Sequence, residues 1–198
     1  MLDYDAEAPR YDASRGGTQR AAAAARAVHS LIRFTPAGDT VVDLAGGTGI
    51  VTAALAQLGH RVLVLDASHG MLALARNRLP GGVCSGDATR TPLRTGGCGV
   101  VLTIWLLHLL DDAEPVITEV ARVLRPGGLF VTTVDKNAAH RRGDDRRAPA
   151  TDDPALVASV CRSAGLMPAG RARFIGHGQG RDDQPDPVFE LVSYVKAG

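Results

Sequence analysis

The chain has 198 residues, 45% of them hydrophobic and 22% charged, with a formal net charge of +1. A chain of this length buries roughly 70% of its unfolded surface and can build a core without staples; its near-neutral balance offers no field for nucleic acid or an anionic membrane. Its three cysteines, Cys84, Cys98 and Cys161, show no CxxC spacing, which argues against a disulfide framework and a zinc site and for a reducing compartment.

The N-terminal stretch MLDYDAEAPRYDASRGG lacks the charged start and apolar core of a signal peptide. The longest apolar run, Val100 to Leu110, is interrupted by His108 and is too short to cross a bilayer, so the expectation is a cytoplasmic protein without a membrane partner. Residues Thr18 to Phe34 carry an alanine block followed by Val28, Leu31 and Ile32, which predicts an amphipathic helix broken by Pro36 and Gly38. Val41 to Leu44 predicts a buried strand, Thr48 to Leu58 a helix, and Arg61 to Leu65 a second strand ended by Asp66. Ser68 can cap a helix over His69 to Arg78, which Pro80, Gly81 and Gly82 stop.

Val83 to Ser85 reads as a weak third strand and Gly99 to Ile104 as a strong fourth. Glu114 to Leu124 places Val116, Ile117, Val120 and Val123 on one helical face, and the turn Arg125 to Gly128 leads to a fifth strand, Leu129 to Val134. The apolar signal vanishes from Lys136 to Asp153, a loop or a lid. A helix over Pro154 to Ala164 follows, then strands at Arg171 to Ile175 and Phe189 to Val195, a pair expected to form an antiparallel hairpin. Strands alternating with helices predict an α/β fold around a mostly parallel, doubly wound sheet.

The segment VVDLAGGTGIV, Val41 to Val51, falls where such a sheet turns from strand to helix and holds its ligands. Glycines there admit a ligand close to the backbone, and the next helix offers free N–H groups. A dinucleotide fingerprint would need a third glycine where Thr52 stands, and the Gly-Lys-Ser/Thr of a phosphate loop is absent.

The stretch instead resembles the first motif, D-x-G-x-G-x-G, of class I S-adenosylmethionine-dependent methyltransferases. Asp43, Gly47 and Gly49 match, and Ala45 replaces the first glycine. VLVLDASHGML resembles the second motif, SGDATRTPL the segment that contacts adenine, VVLTIWLLHLLDD the fourth strand and its sequel, and RVLRPGGLFVTT the turn and fifth strand. The resemblance covers Val41 to Val134, with a looser match through YDASRGG, and is to small bacterial proteins like the ubiquinone and menaquinone methyltransferases and to natural-product enzymes. An acid common before the fourth strand is replaced here by Gly99.

The resemblance implies one Rossmann-like domain over residues 1–198 with a seven-stranded sheet. Its parts would be a helical cap (1–34), a cofactor core (41–134), a loop or lid (136–153) and a C-terminal helix and hairpin (154–198). It implies S-adenosylmethionine as cofactor and S-adenosylhomocysteine as product. Implied cofactor contacts are Asp43, Ala45, Gly46, Gly47 and Thr48 in the first loop; Asp66, Ala67 and Met71 around the ribose; Gly86, Asp87 and Ala88 at the adenine; and Ile104 and Trp105 beyond the fourth strand. Tyr11 and Arg15 are expected in a lid near the methionine carboxylate, with no metal. His108 is the candidate base or acceptor-orienting group, since an imidazole titrates near neutrality. The Asx-Pro-Pro-aromatic motif of nucleic-acid amino-methyltransferases, the Pro-Cys of cytosine C5 chemistry and the paired glutamates of arginine methyltransferases are all missing. The expected acceptor is the O or N nucleophile, less readily carbon, of a small molecule or peptide, a bacterial secondary metabolite. The competing reading is a protein that binds the cofactor for decarboxylation, pericyclic chemistry or regulation, without transferring methyl.

Overall fold

A computed structural model describes residues 3–36, 38–136, 151–180 and 185–198. Its elements in chain order are α1 (Tyr4–Tyr11), α2 (Gly17–Ile32), β1 (Thr40–Leu44), α3 (Ile50–Gln57), β2 (Arg61–Asp66), α4 (His69–Arg78), β3 (Val83–Ser85), β4 (Cys98–Thr103), α5 (Glu114–Val123), β5 (Leu124–Val134), α6 (Pro154–Ser163), β6 (Leu166–Ile175) and β7 (Val188–Lys196). The sheet order is β3-β2-β1-β4-β5-β7-β6. The first five strands pair in parallel, and β7 runs antiparallel to both β5 and β6. The doubly wound sheet and its antiparallel closing pair are thus as the alternating pattern predicts. Most of the lid expected over 136–153 lies outside the described residues. No described helix is long and apolar enough to cross a membrane.

Side-chain alternation explains why the central strands read as unbroken apolar runs. Val41, Val100 and Leu102 pack with α2 and α3, while their neighbours Val42 and Val101 pack with α5 and α6. Both faces are covered, so consecutive residues must all be apolar. Helix α2 buries Ala24, Val28 and Ile32 at four-residue spacing, and Arg20 continues that stripe into the interior.

Three elements depart from the sequence reading, and the first is strand β5, which begins at Leu124 and takes in the expected turn Arg125 to Gly128. No apolar periodicity marks α1, yet Asp3 caps it by accepting from the amides of Asp5 and Ala6. The carboxylate of Asp5 then accepts from the Ser68 hydroxyl at 2.5 Å and the Gly70 amide at 2.8 Å, fixing α1 against the start of α4. Tertiary contacts therefore hold a helix whose own pattern is too polar to announce it. Strand β6 also begins five residues before the expected Arg171, because Pro168 hides it. Proline is tolerated there on an edge strand, beside a register shift between Pro168 and Gly170.

The chain leaves β1 for β2 and β3 on one side and returns to β4 on the other, so the carboxyl ends of β1 and β4 flank the switch point. At the opposite end of β4, Gly99 makes room for Asp39, which pairs with Arg125 at 2.5 Å. A Cβ at position 99 would overlap the Asp39 carboxyl group. Gly99→Asp is therefore expected to destabilise the fold by about 2–3 kcal/mol through clash and like-charge contact, read by urea denaturation.

Candidate functional site

Among the described residues, three other than glycine have positive φ: Ala45 (54°), Trp105 (59°) and Asp135 (48°). Each follows a parallel strand (β1, β4 and β5), so backbone strain gathers at the carboxyl edge of the sheet. Such residues cost roughly 1–3 kcal/mol each and persist where the surroundings over-determine them. Ala45 stands where the resemblance leads one to expect glycine, and it adopts the glycine-like backbone all the same.

The loop after β1 is held from beneath by Asp43, which is 2% exposed and accepts from the Thr52 hydroxyl at 2.5 Å. Thr52, the residue that breaks the dinucleotide pattern, thus serves the loop. A Cβ at Gly46 would press on the Asp43 carboxyl group, so the tight approach requires glycine. Burial raises the Asp43 carboxyl to about 7; the Thr52 bond opposes this and nearby Asp66 adds to it.

A raised folded-state value favours the protonated fold. Stability from this group is full below about pH 4, falls as the unfolded chain ionises, and is lost by about pH 7. Asp43→Asn, which can still accept from Thr52, should gain on the parent chain by up to about 4 kcal/mol between those limits. Urea denaturation of both proteins across that range measures the difference.

Asp66 closes β2 with both oxygens turned to backbone donors. Oδ2 accepts from the Gly47 amide and Oδ1 from the Ser68 amide, each at 2.8 Å. A carboxylate has further lone pairs, so Asp66 can brace the loop and still accept ribose hydroxyls. Burial raises its pKa, and the amide bonds oppose that rise. Ala67 is exposed beside it, and Met71 is buried beneath Gly47. At the end of neighbouring β3, Gly86 and Ala88 are half-buried and Asp87 is exposed. Asp87 Oδ1 accepts from the Thr89 amide at 2.7 Å and hydroxyl at 2.8 Å. The three loops implied by the resemblance therefore adjoin one another along one sheet edge.

The N-terminal segment reaches this edge as well. Thr48 is buried and donates to Asp12 at 2.7 Å; Asp12 in turn pairs with Arg78 at 2.6 Å, and Arg78 donates to the Thr48 carbonyl at 2.7 Å. Gly16, at φ 78°, lies against the backbone carbonyl of His177, so a side chain there would collide with the β6–β7 connection. The Arg15 guanidinium lies 4.0 Å over the Tyr11 ring and contacts Glu7 at 3.4 Å.

Arg20 is the cation the sequence reading missed. It is 6% exposed, and its guanidinium lies 4.0 Å over the Trp105 ring. Its Nε is buried without a hydrogen-bond partner, and among the described residues it forms no ion pair. Burial lowers its pKa to about 10. The available signal was a charge at four-residue spacing with Ala24, Val28 and Ile32, on the stripe that should be apolar. Trp105, whose amide donates to Thr133 at 2.8 Å, is wedged edge-on against Phe174 and Phe189. Ile104 is buried beside it.

His108 follows in the 3-10 turn Leu107–Leu109. Its Nε2 lies 2.8 Å from Lys136 Nζ, and its Nδ1 is buried and unpartnered. Burial, reinforced by the lysine charge, pushes the imidazole down to about 3. His108 is thus neutral at physiological pH and accepts a hydrogen bond from the ammonium.

A methyltransferase-domain family model matches residues 42–132, the stretch that carries the strained turns at Ala45 and Trp105 and both strand-end acids. That match supports a class I S-adenosylmethionine-dependent methyltransferase over this stretch. It is 41% identical over 108 residues to the demethylmenaquinone methyltransferase of Mycobacterium marinum, covering 54% of this chain and 45% of that protein. The chain spans about half the length of the curated relatives it matches. Among solved structures, the methyltransferase bound to the Trm112 methyltransferase activator of Haloferax volcanii superposes with a TM-score of 0.75 at 21% identity, covering 100% of this chain and 99% of that one. The cyclase SpnF gives 0.74 at 18% identity, covering 98% and 94%. These two likenesses show the fold.

The residues at this sheet edge fit S-adenosylmethionine on their own chemistry. Two strand-end carboxylates can accept hydroxyl and amino protons, and an unpaired buried guanidinium can meet a carboxylate. Among the described residues no cluster of three metal-ligating side chains occurs.

Proposed function

We propose that this chain transfers a methyl group from S-adenosylmethionine to a small-molecule nucleophile. Buried, unpaired Arg20 carries the proposal, because a guanidinium without a counter-ion is costly unless a ligand supplies one. In this reading Asp66 accepts from the ribose hydroxyls, Asp87 from the adenine amino group, and Arg20 pairs with the methionine carboxylate. The cofactor, when bound, supplies a methyl group made electrophilic by its sulfonium.

The chain's own part is to orient and to exclude water. The segment that includes α1, Tyr11 and Asp12 closes over the first loop, and Trp105 walls the crevice at the switch point. Holding two reactants in line can supply roughly 7–11 kcal/mol of a barrier, so no covalent intermediate is required. A base is needed only if the acceptor arrives protonated, and a neutral His108 that already accepts from Lys136 is poorly placed to be one.

The resemblance to natural-product enzymes favours an oxygen or nitrogen of a small secondary metabolite or peptide. The name of the Mycobacterium marinum relative favours a quinone ring carbon instead. A phenol-type acceptor can react at its oxygen or at the conjugate carbon, and an amine at its nitrogen. Incubating the full chain with S-adenosylmethionine and separate panels of phenols, amines, peptides and demethylmenaquinol decides between them by the identity of the methylated product. Cofactor that binds and is never consumed with any panel would overturn methyl transfer in favour of a non-transferring binder.

A further inference from the structure

We propose that Lys136, held by His108, is the seat for an acidic oxygen on the methyl acceptor, an ionised hydroxyl or a carboxylate. The inference rests on the methyl-transfer reading above and names the acceptor's chemistry. Strands β4 and β5 are parallel, so the 3-10 turn after β4 and Lys136 after β5 emerge at the same edge, next to the loop after β1. Asp135, at φ 48°, turns the chain just before Lys136.

Hydrogen-bond inventory fixes the protons. An ammonium has three donors and no acceptor, so at 2.8 Å the imidazole Nε2 must be the acceptor. The ring proton then sits on Nδ1, which is buried and unpartnered. Lys136 keeps two N–H donors to offer, and Arg20 Nε and Trp105 Nε1 are further buried donors with no acceptor. Burial, and after it the charges of Arg15 and Arg20, lower the Lys136 pKa, and Asp152 opposes them.

One acid is close. Asp152 is buried and its Oδ2 accepts from the Lys136 backbone amide at 2.8 Å, while its Oδ1 is unpartnered. It anchors the chain at the Lys136 amide and its charge favours the ammonium from a distance, but among the described residues no carboxylate is in ion-pair contact with Lys136 Nζ. Arg15 has Glu7 as its partner, but among the described residues Lys136 and Arg20 form no ion pair, and buried charge of one sign calls for a ligand of the other. An acceptor bound here in ionised form has left its proton to solvent on binding, which accounts for a site whose histidine is committed as a hydrogen-bond acceptor.

The test uses the full chain saturated with S-adenosylhomocysteine and two matched pairs of probes: 4-nitrophenol against 4-nitroanisole, and 2-naphthoate against its methyl ester. Calorimetry on the parent chain should show the acidic member of each pair binding about tenfold or more tightly than its neutral partner. Lys136→Met should erase that preference and Lys136→Arg should retain it, with S-adenosylhomocysteine affinity unchanged within about twofold in both. Equal binding within the pairs, no binding of the acidic members, or a preference that survives Lys136→Met would overturn the proposal and leave the cofactor reading standing. Failure of the parent chain to bind S-adenosylhomocysteine would overturn the cofactor reading instead.

Discussion

Asp66→Ala is expected to weaken S-adenosylhomocysteine binding by about a hundredfold or more, measured by calorimetry on the folded variant. Two losses combine. The ribose hydroxyls lose an ionised acceptor, and hydrogen bonds to charged groups are worth roughly 1.5–3 kcal/mol each. The Gly47 amide also loses its partner at 2.8 Å, so the first loop is released from the end of β2. Asp66→Asn separates the two contributions. An amide oxygen can still accept from Gly47, so the loop survives while the paired acceptance by two ionised oxygens does not. An affinity within about threefold of the parent in both variants would remove Asp66 from the site.

Arg20→Met should move stability and binding in opposite directions. Methionine fills much of the volume of the arginine stem, and the substitution removes a buried guanidinium that lacks an acid partner. Replacing buried charge by apolar volume is often neutral or stabilising by about 1–4 kcal/mol, here offset by about 1 kcal/mol of lost cation–π contact with Trp105. The free protein should therefore melt at the same temperature or several degrees higher. Binding of S-adenosylhomocysteine should fall about tenfold to a hundredfold, while 5′-methylthioadenosine, which lacks the amino-acid carboxylate, should bind the parent and variant alike. A variant that is destabilised and loses both ligands equally would make Arg20 a structural residue.

The opposed effects arise because a ligand site violates the rules that build the rest of the fold, and this also explains what the sequence discloses. The strands of the core are legible because both faces are buried and Val, Leu and Ile run unbroken, as in Val41 to Leu44 and Val100 to Leu102. Asp66 and Asp87 are legible because an acid at the end of an apolar strand has no packing reason to be there. Arg20 is hidden inside an alanine-rich helix, where a lone charge looks like ordinary surface until its register with Val28 and Ile32 is counted.

The pairing of Lys136 with His108 spans 28 residues and depends on how two loops turn out of parallel strands, which no local pattern encodes. Helix α1 is invisible for a related reason: Asp3, Asp5 and Ser68 stabilise it through capping and contact with α4, without an apolar stripe. Position 45 shows the converse. The motif leads one to expect glycine, and the backbone adopts the left-handed turn with alanine, so the surroundings dictate the conformation more strongly than the residue does.

The most direct test of the central claim, that the crevice at the ends of β1, β2 and β4 is built for an adenosyl-sulfur ligand, is a calorimetric titration of the full chain with S-adenosylhomocysteine. Saturable binding of one ligand per chain, with a Kd on the order of micromolar, is the predicted result. A titration with no saturable heat, repeated with S-adenosylmethionine and giving the same answer, would contradict it.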